Sequence, residues 1–260
     1  MRILFSAILI LLNSSFALAI ATPDIGVNAL ILYHNSNFHQ ADMNPAALDT
    51  NPNGLNLQEA EISFKADVDP YNKLSLLLSV SPEYSTDGTT VTQGWLIEPE
   101  EVFAENSSID SVSLKLGKFK AAFGKHNTLH PHAYIFVEAP LINTRLLGNE
   151  GLNDVGISAA SLLPVNWYSE MTLQALRGKG ENEQFNSPSP SENVALAHWK
   201  NLFDLSDELT FEVGASYATG QNSFKHKTDL IGADFTFKWR PTKGGKYSSF
   251  LWATEYISRN

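Results

Sequence analysis

The sequence predicts an all-β chain: an antiparallel transmembrane β-barrel with about eleven or twelve strands in view. Three observations predict it. Apolar and polar residues alternate with period two along most of the chain, short and long connections take turns, and aromatic residues collect near strand ends.

The N-terminus comes first. Met1 and Arg2 precede an apolar run from Ile3 to Leu12, and Ala17-Leu18-Ala19 supplies small residues where a signal peptidase reads. Residues 1–19 therefore read as a secretory signal peptide, too short for a membrane helix of about 20 apolar residues. Residues 20–260 would form the mature chain. Its net charge is 17 − 28 = −11, because the leader removes Arg2 and no acid.

The strands follow. The clearest is Leu57 to Val68, with Ala60, Ile62, Phe64, Ala66 and Val68 on one face. Glu59, Glu61, Ser63, Lys65 and Asp67 occupy the other. Similar alternation marks Leu74 to Val80, Val112 to Leu116, Leu209 to Tyr217 and Ile231 to Trp239. Further strands are expected near 26–34, 98–105, 153–163, 167–177, 193–202 and 246–257; the alternation is poorest in 98–105. Short connections are expected at 69–72, 106–109, 164–166, 203–207 and 241–245, where turn residues gather. Long ones are expected at 35–54, 82–97, 124–152, 178–192 and 220–227. A β-sandwich has no reason to sort its loops by parity; an outer-membrane barrel does so routinely. Tyr71, Trp167, Tyr168, Trp199, Trp239, Tyr247 and Trp252 fall at or near strand ends, as interfacial girdles require.

Composition narrows function. Acids outnumber bases 28 to 18, which disfavours nucleic-acid binding. No cysteine is present, so thiol catalysis, disulfides and Cys-ligated metals are excluded. Neither a nucleophile elbow nor a phosphate-binding glycine loop occurs, so an enzyme is not expected.

Three stretches carry a family resemblance: Gly54 to Tyr71 (GLNLQEAEISFKADVDPY), Lys115 to His132 (KLGKFKAAFGKHNTLHPH) and Asn149 to Gly156 (NEGLNDVG). They resemble Gram-negative outer-membrane porin-like proteins, whose members are often labelled porins or zinc-regulated TonB-dependent outer-membrane receptors. The resemblance spans roughly residues 54–257. It implies a barrel in the outer membrane, with lipid and small hydrophilic solutes or ions as partners and a homo-oligomer as an option. The receptor label fits poorly, since 260 − 19 = 241 residues cannot supply both a plug and a 22-stranded barrel. An odd strand count and an end at Ser258-Arg259-Asn260 lead to the expectation that closing strands are missing.

The functional expectation is a channel for passive diffusion. Glu59, Glu61, Lys65, Lys115, Lys118 and Lys120 would line the pore. Strict alternation would turn Lys118 and Lys120 toward lipid. A bulge at Gly117 is therefore expected, moving them to the lumen and Phe119, Ala121 and Phe123 to the lipid face. The 124–152 loop holds His126, His130, His132 and Arg145 beside apolar Tyr134 to Val137, so it would fold inward as a constriction. Those three histidines could also hold a divalent metal such as zinc; no other cofactor is expected. The alternative is a secreted or periplasmic β-sandwich that binds a ligand or metal through the same histidines.

Overall fold

A computed structural model describes residues 22–35, 53–86, 91–180, 182–189 and 192–260. The leader 1–19 and most of the 35–54 connection lie outside the described residues. Among those described, eleven antiparallel strands form one sheet in which every strand pairs with its sequence neighbours. They are β1 (Asp24–His34), β2 (Gly54–Asp67), β3 (Asn72–Thr86), β4 (Val91–Ile109), β5 (Val112–Lys120), β6 (Asn153–Leu162), β7 (Tyr168–Leu176), β8 (Val194–Ser206), β9 (Leu209–Gln221), β10 (Lys227–Trp239) and β11 (Phe250–Arg259). Among the described residues a short helix, α1 (Leu141–Leu147), and three 3-10 turns accompany the sheet. β1 and β11 are the sheet's edges, with no pairing between them among the described residues.

Each expected strand is present, but several are longer. β3 reaches Thr86 and β4 starts at Val91, so strand replaces most of the expected 82–97 loop. Its Ser and Thr residues pair across the hairpin, with Ser85 Oγ and Thr92 Oγ1 2.7 Å apart. The 220–227 loop shrinks to 222–226, where Asn222 Oδ1 accepts from the Phe224 and His226 N–H groups. The expected short turn at 241–245 lengthens to 240–249. Strict length parity thus fails at individual loops. The three longest connections (35–53, 121–152 and 177–193) nevertheless share one end of the sheet.

The two faces differ as the alternation requires. One cross-strand row reads Ala66, Leu74, Ala104, Leu116, Ile157, Ala175 and Ala195, apolar across seven strands. Leu74, Leu116 and Ile157 in that row are exposed. The next row on the opposite face reads Asp67, Lys73, Glu105, Lys115, Ser158 and Gln174. There charges of opposite sign stand directly opposite one another, a favourable arrangement worth about 0.2–1 kcal/mol per pair. On the apolar face, Trp167, Phe203, Phe211, Phe235 and Trp252 form a chain of ring contacts with centroids 4.8–6.0 Å apart. This row runs along the short-turn end of β8–β11.

The sheet curls. The backbone N–H groups of Lys125 and His126 donate to Glu255 on β11 (2.5 and 2.7 Å), while His132 meets Glu61 on β2. Nine spacings separate these strands, about 43 Å in a flat sheet at roughly 4.8 Å each. Six residues of chain reach at most about 21 Å. Even with the reach of two side chains, only a curled sheet lets one segment touch both. The 121–152 segment therefore lies inside the curve, on the polar face.

Under that segment the concave face is not polar throughout. Phe119, Phe123, Leu147, Leu176, Phe185 and Leu230 pack there into a fully buried apolar core. This corrects the expectation at Gly117. The β5–β6 register passes through Gly117 without a shift, and Phe119 points inward. Phe119, Ala121 and Phe123 are fully buried rather than on the outer face, because the inward-folded segment needs them as its floor. Gly117 has φ +140, and a Cβ there would lie 2.1 Å from the Val102 carbonyl oxygen on β4. Gly244, by contrast, has φ +86, and a Cβ added there would meet nothing within 4 Å.

A comparison follows from those two glycines. Gly117→Ala should lower the urea-unfolding stability, read by tryptophan fluorescence, by more than about 3 kcal/mol, since backbone strain adds to a steric clash. Gly244→Ala should cost only the strain, about 1–2 kcal/mol. Equal losses would refute the close packing of β5 on β4.

Candidate functional site

Two β-bulges build the site. Opposite β3, Leu77 pairs with Glu101 and Leu78 with Pro99, so Glu100 is the extra residue. Successive strand residues ordinarily point to opposite faces; the bulge turns both Glu100 and Glu101 inward. Pro99, which has no N–H to give the ladder, sits where the pairing breaks. Opposite β1, Leu30 pairs with Glu59 and Ile31 with Leu57, which makes Gln58 the extra residue of β2. Gln58 and Glu59 both face the inner segment, and Gln58 Nε2 donates to the Val137 carbonyl (3.0 Å).

These carboxylates gather around one loop. His130 Nδ1 lies 2.8 Å from Glu100 Oε2 and 3.8 Å from Glu61 Oε1, and His130 Nε2 lies 3.1 Å from Glu101 Oε2. Glu101 also accepts the Lys120 N–H (2.9 Å). The His132 ring stacks on His130 at 6.0 Å with planes 3° apart, and its Nδ1 abuts Glu61 Oε2 without hydrogen-bond geometry. Burial works against a charged His130 ring. The hydrogen bonds from Glu100 and Glu101 outweigh it and raise this ring to about 9.

A second anchor holds the other end. Glu255 Oε1 takes the Lys125 and His126 N–H groups, and Glu255 Oε2 takes Asn143 Nδ2 (3.0 Å). The Lys125 ammonium pairs with Glu212 of β9 at 2.7 Å. The Gly124 N–H donates to Ser216 Oγ (2.8 Å). Burial lowers the His126 ring below its ordinary value despite the charge of Glu255. The ring packs 4.4 Å from Tyr134, and its Nε2 is buried with no hydrogen-bond partner.

The structure thus divides the three histidines expected to act together. His130 and His132 face β2 and β4, whereas His126 faces β11. Arg145 sits exposed on α1, two residues beyond Asn143. Among the residues expected to line a pore, Glu61 is buried at the loop contact. Lys65 is exposed in a cavity of about 740 Å³ with Ser63, Lys73, Glu105, His130 and His132. Lys115 points inward over the Phe103 ring, 4.1 Å from its centroid. Lys118 shares the face of Leu116, and its Nζ donates to the Pro99 carbonyl (2.8 Å). Lys120 is buried at the end of β5, and Glu59 is half-buried beside Glu61. Glu100, Glu101, Gln58 and Glu255 escaped the sequence reading. The one signal for them was the run Glu98 to Glu101, acid-rich and proline-broken inside a strand.

A protein of Aquifex aeolicus (strain VF5), named only as uncharacterized, is 30% identical to this chain over 233 residues. The match covers 80% of this chain and 45% of the relative, so the chain spans less than half that protein's length. No family model matches the sequence.

Two outcomes test the anchors. Glu255→Ala strands two backbone N–H groups and should cost about 2–3 kcal/mol while speeding proteolysis within 124–140. Glu255→Gln, which keeps an acceptor, should cost about half as much. The His126 ring adds an acid-side loss. Its folded pKa is depressed, so the stability tied to it is present above about pH 6.5 and falls as pH drops below that value. His126→Leu should flatten this part of the stability–pH profile; an unchanged slope would show that the ring is not buried.

Proposed function

We propose that this chain forms the wall of a porin-like outer-membrane β-barrel and passes small hydrophilic solutes or ions by passive diffusion. One observation carries the reading: β2–β8 turn an apolar row outward, while β2–β5 turn a row of alternating charges into the concavity. A water-soluble sheet protein does the reverse or stacks two sheets on their greasy sides. Here a single curled sheet leaves Leu116, Ile157, Leu173 and Ile231 exposed on its convex side. Hydrocarbon is the solvent that suits such a face, and a band of stacked aromatic rings at one end suits a headgroup interface. The row Asp67, Lys73, Glu105 and Lys115 suits contact with water and ions.

The 121–152 segment narrows the lumen in this reading. Its apolar core closes the side beneath β7–β11. The cavity bordered by Lys65, Lys73, Glu105 and His132 stays polar and marks the passage. The porin resemblance of Gly54 to Tyr71 and Lys115 to His132 agrees with these roles, because both stretches supply passage or constriction residues.

Planar-bilayer recording of the full chain, refolded in detergent, tests this. Stepwise ohmic conductance is expected. The double change Lys65→Glu, Lys73→Glu should move the reversal potential under a salt gradient toward cation selectivity, with the step size changed less than twofold. Folded, detergent-soluble protein that never conducts would overturn the channel.

A further inference from the structure

The geometry points to a divalent-cation site inside the curl, formed by Glu61 of β2, Glu100 of β4 and His130 of the inner segment. Their candidate ligand atoms all lie within 4.8 Å of one another. Ligands bound tetrahedrally at about 2.0–2.1 Å stand roughly 3.3 Å apart. The His130 Nδ1 distances to Glu100 and Glu61, 2.8 and 3.8 Å, bracket that value. The remaining edge closes by rotation of a glutamate side chain.

Three further observations favour an ion over a plain ion pair. First, Glu61 is 3% exposed, and its oxygens touch the His130 and His132 rings without hydrogen-bond geometry to either. A buried carboxylate left in that state is costly unless something else binds it. Second, carboxylates outnumber lysines: Glu59, Glu61, Glu100 and Glu101 converge here. Lys115 and Lys120 are the lysines whose charges reach these four acids among the described residues, so two lysines face four carboxylates and the rings of His130 and His132 are left to hold the rest. Third, His130 is held from behind. Glu101 engages Nε2 and leaves Nδ1 facing Glu61 and Glu100, the carboxylate–histidine–metal arrangement in which an outer acid fixes the ring.

Two carboxylates and one imidazole suit Zn²⁺ or another first-row divalent ion. His132 abuts Glu61 at the edge of this group. Such an ion would fasten the inner segment to β2 and β4, as Glu255 fastens it to β11. The inference does not depend on conduction.

The test uses the full chain refolded in detergent after chelator treatment, with β-sheet content checked by circular dichroism. Equilibrium dialysis against Zn²⁺ should give one tight equivalent. Glu100→Gln and His130→Asn should weaken it at least about 100-fold, and Glu101→Gln, which only orients the ring, about tenfold. Should either ligand variant fail to fold, Glu61→Gln is the isosteric substitute. The exposed His226→Asn should bind as the parent does. Co²⁺ should give a d–d spectrum lost in His130→Asn. Absence of saturable Zn²⁺ uptake by folded parent, or undiminished uptake by the folded ligand variants, would overturn the site. Either result would leave the bilayer recording to judge the channel separately.

Discussion

The rest of this structure depends on the opposite chemistry of the two faces of each strand. Period-two alternation gives every strand an apolar and a polar side, and cross-strand register lines those sides up into rows. Once Ala66, Leu74, Ala104, Leu116 and Ile157 share a row, the polar partners of those positions must share the other face. Curling the sheet toward its polar face encloses charge. Charge enclosed in that way needs partners, and much of the remaining architecture supplies them. The sign-alternating row Asp67, Lys73, Glu105 and Lys115 is one answer. The segment 121–152 is the other, since its backbone N–H groups and histidines meet carboxylates that would otherwise stand alone.

Breaks in the alternation have local purposes. Each bulge adds one residue and so turns two consecutive side chains to the same face. Gln58 with Glu59, and Glu100 with Glu101, are placed in this way where the inner segment passes. A regular strand would have sent one member of each pair to the convex face. There Gln58 or Glu100 would break an apolar row, and the segment would lose a contact. Backbone irregularity therefore concentrates carboxylates at one spot on an otherwise regular wall.

What could be read beforehand follows from the range of the interaction involved. Strand identity rests on local alternation, and all eleven strands were legible from it. Strand ends were less so, because Ser85, Thr86 and Thr92 suit a turn or a strand equally and only their cross-strand pairing decides. The bulge expected at Gly117 rested on keeping Lys118 and Lys120 out of lipid. What decides that stretch is the need of Leu147, Leu176 and Leu230 for apolar partners, a demand made by residues up to 113 positions away (230 − 117). Its apolar Tyr134 to Val137 predict that the histidine loop folds inward to bury them; the segment does turn inward, but Ile135, Phe136 and Val137 stay exposed and the residues it buries are Phe123, Leu147 and Leu152. The grouping of its histidines could not be anticipated, because two anchors on distant strands divide them. Glu255 carries no local mark at all: its role exists only once β11 is brought round to face Lys125.

The two anchors make the inner segment a strut and not a flap. At one end Glu255 satisfies backbone donors, which are indifferent to side-chain identity at 125 and 126. At the other, Glu61, Glu100 and Glu101 engage His130 and His132 through side chains alone. The first end therefore depends on folding and the second on whatever positive species the carboxylates hold between them. The β2 and β4 side of this strut is the one that carries the histidine–carboxylate contacts. That side borders the polar cavity, where Lys65, Lys73 and His132 meet, and not the apolar core around Phe119 and Phe123.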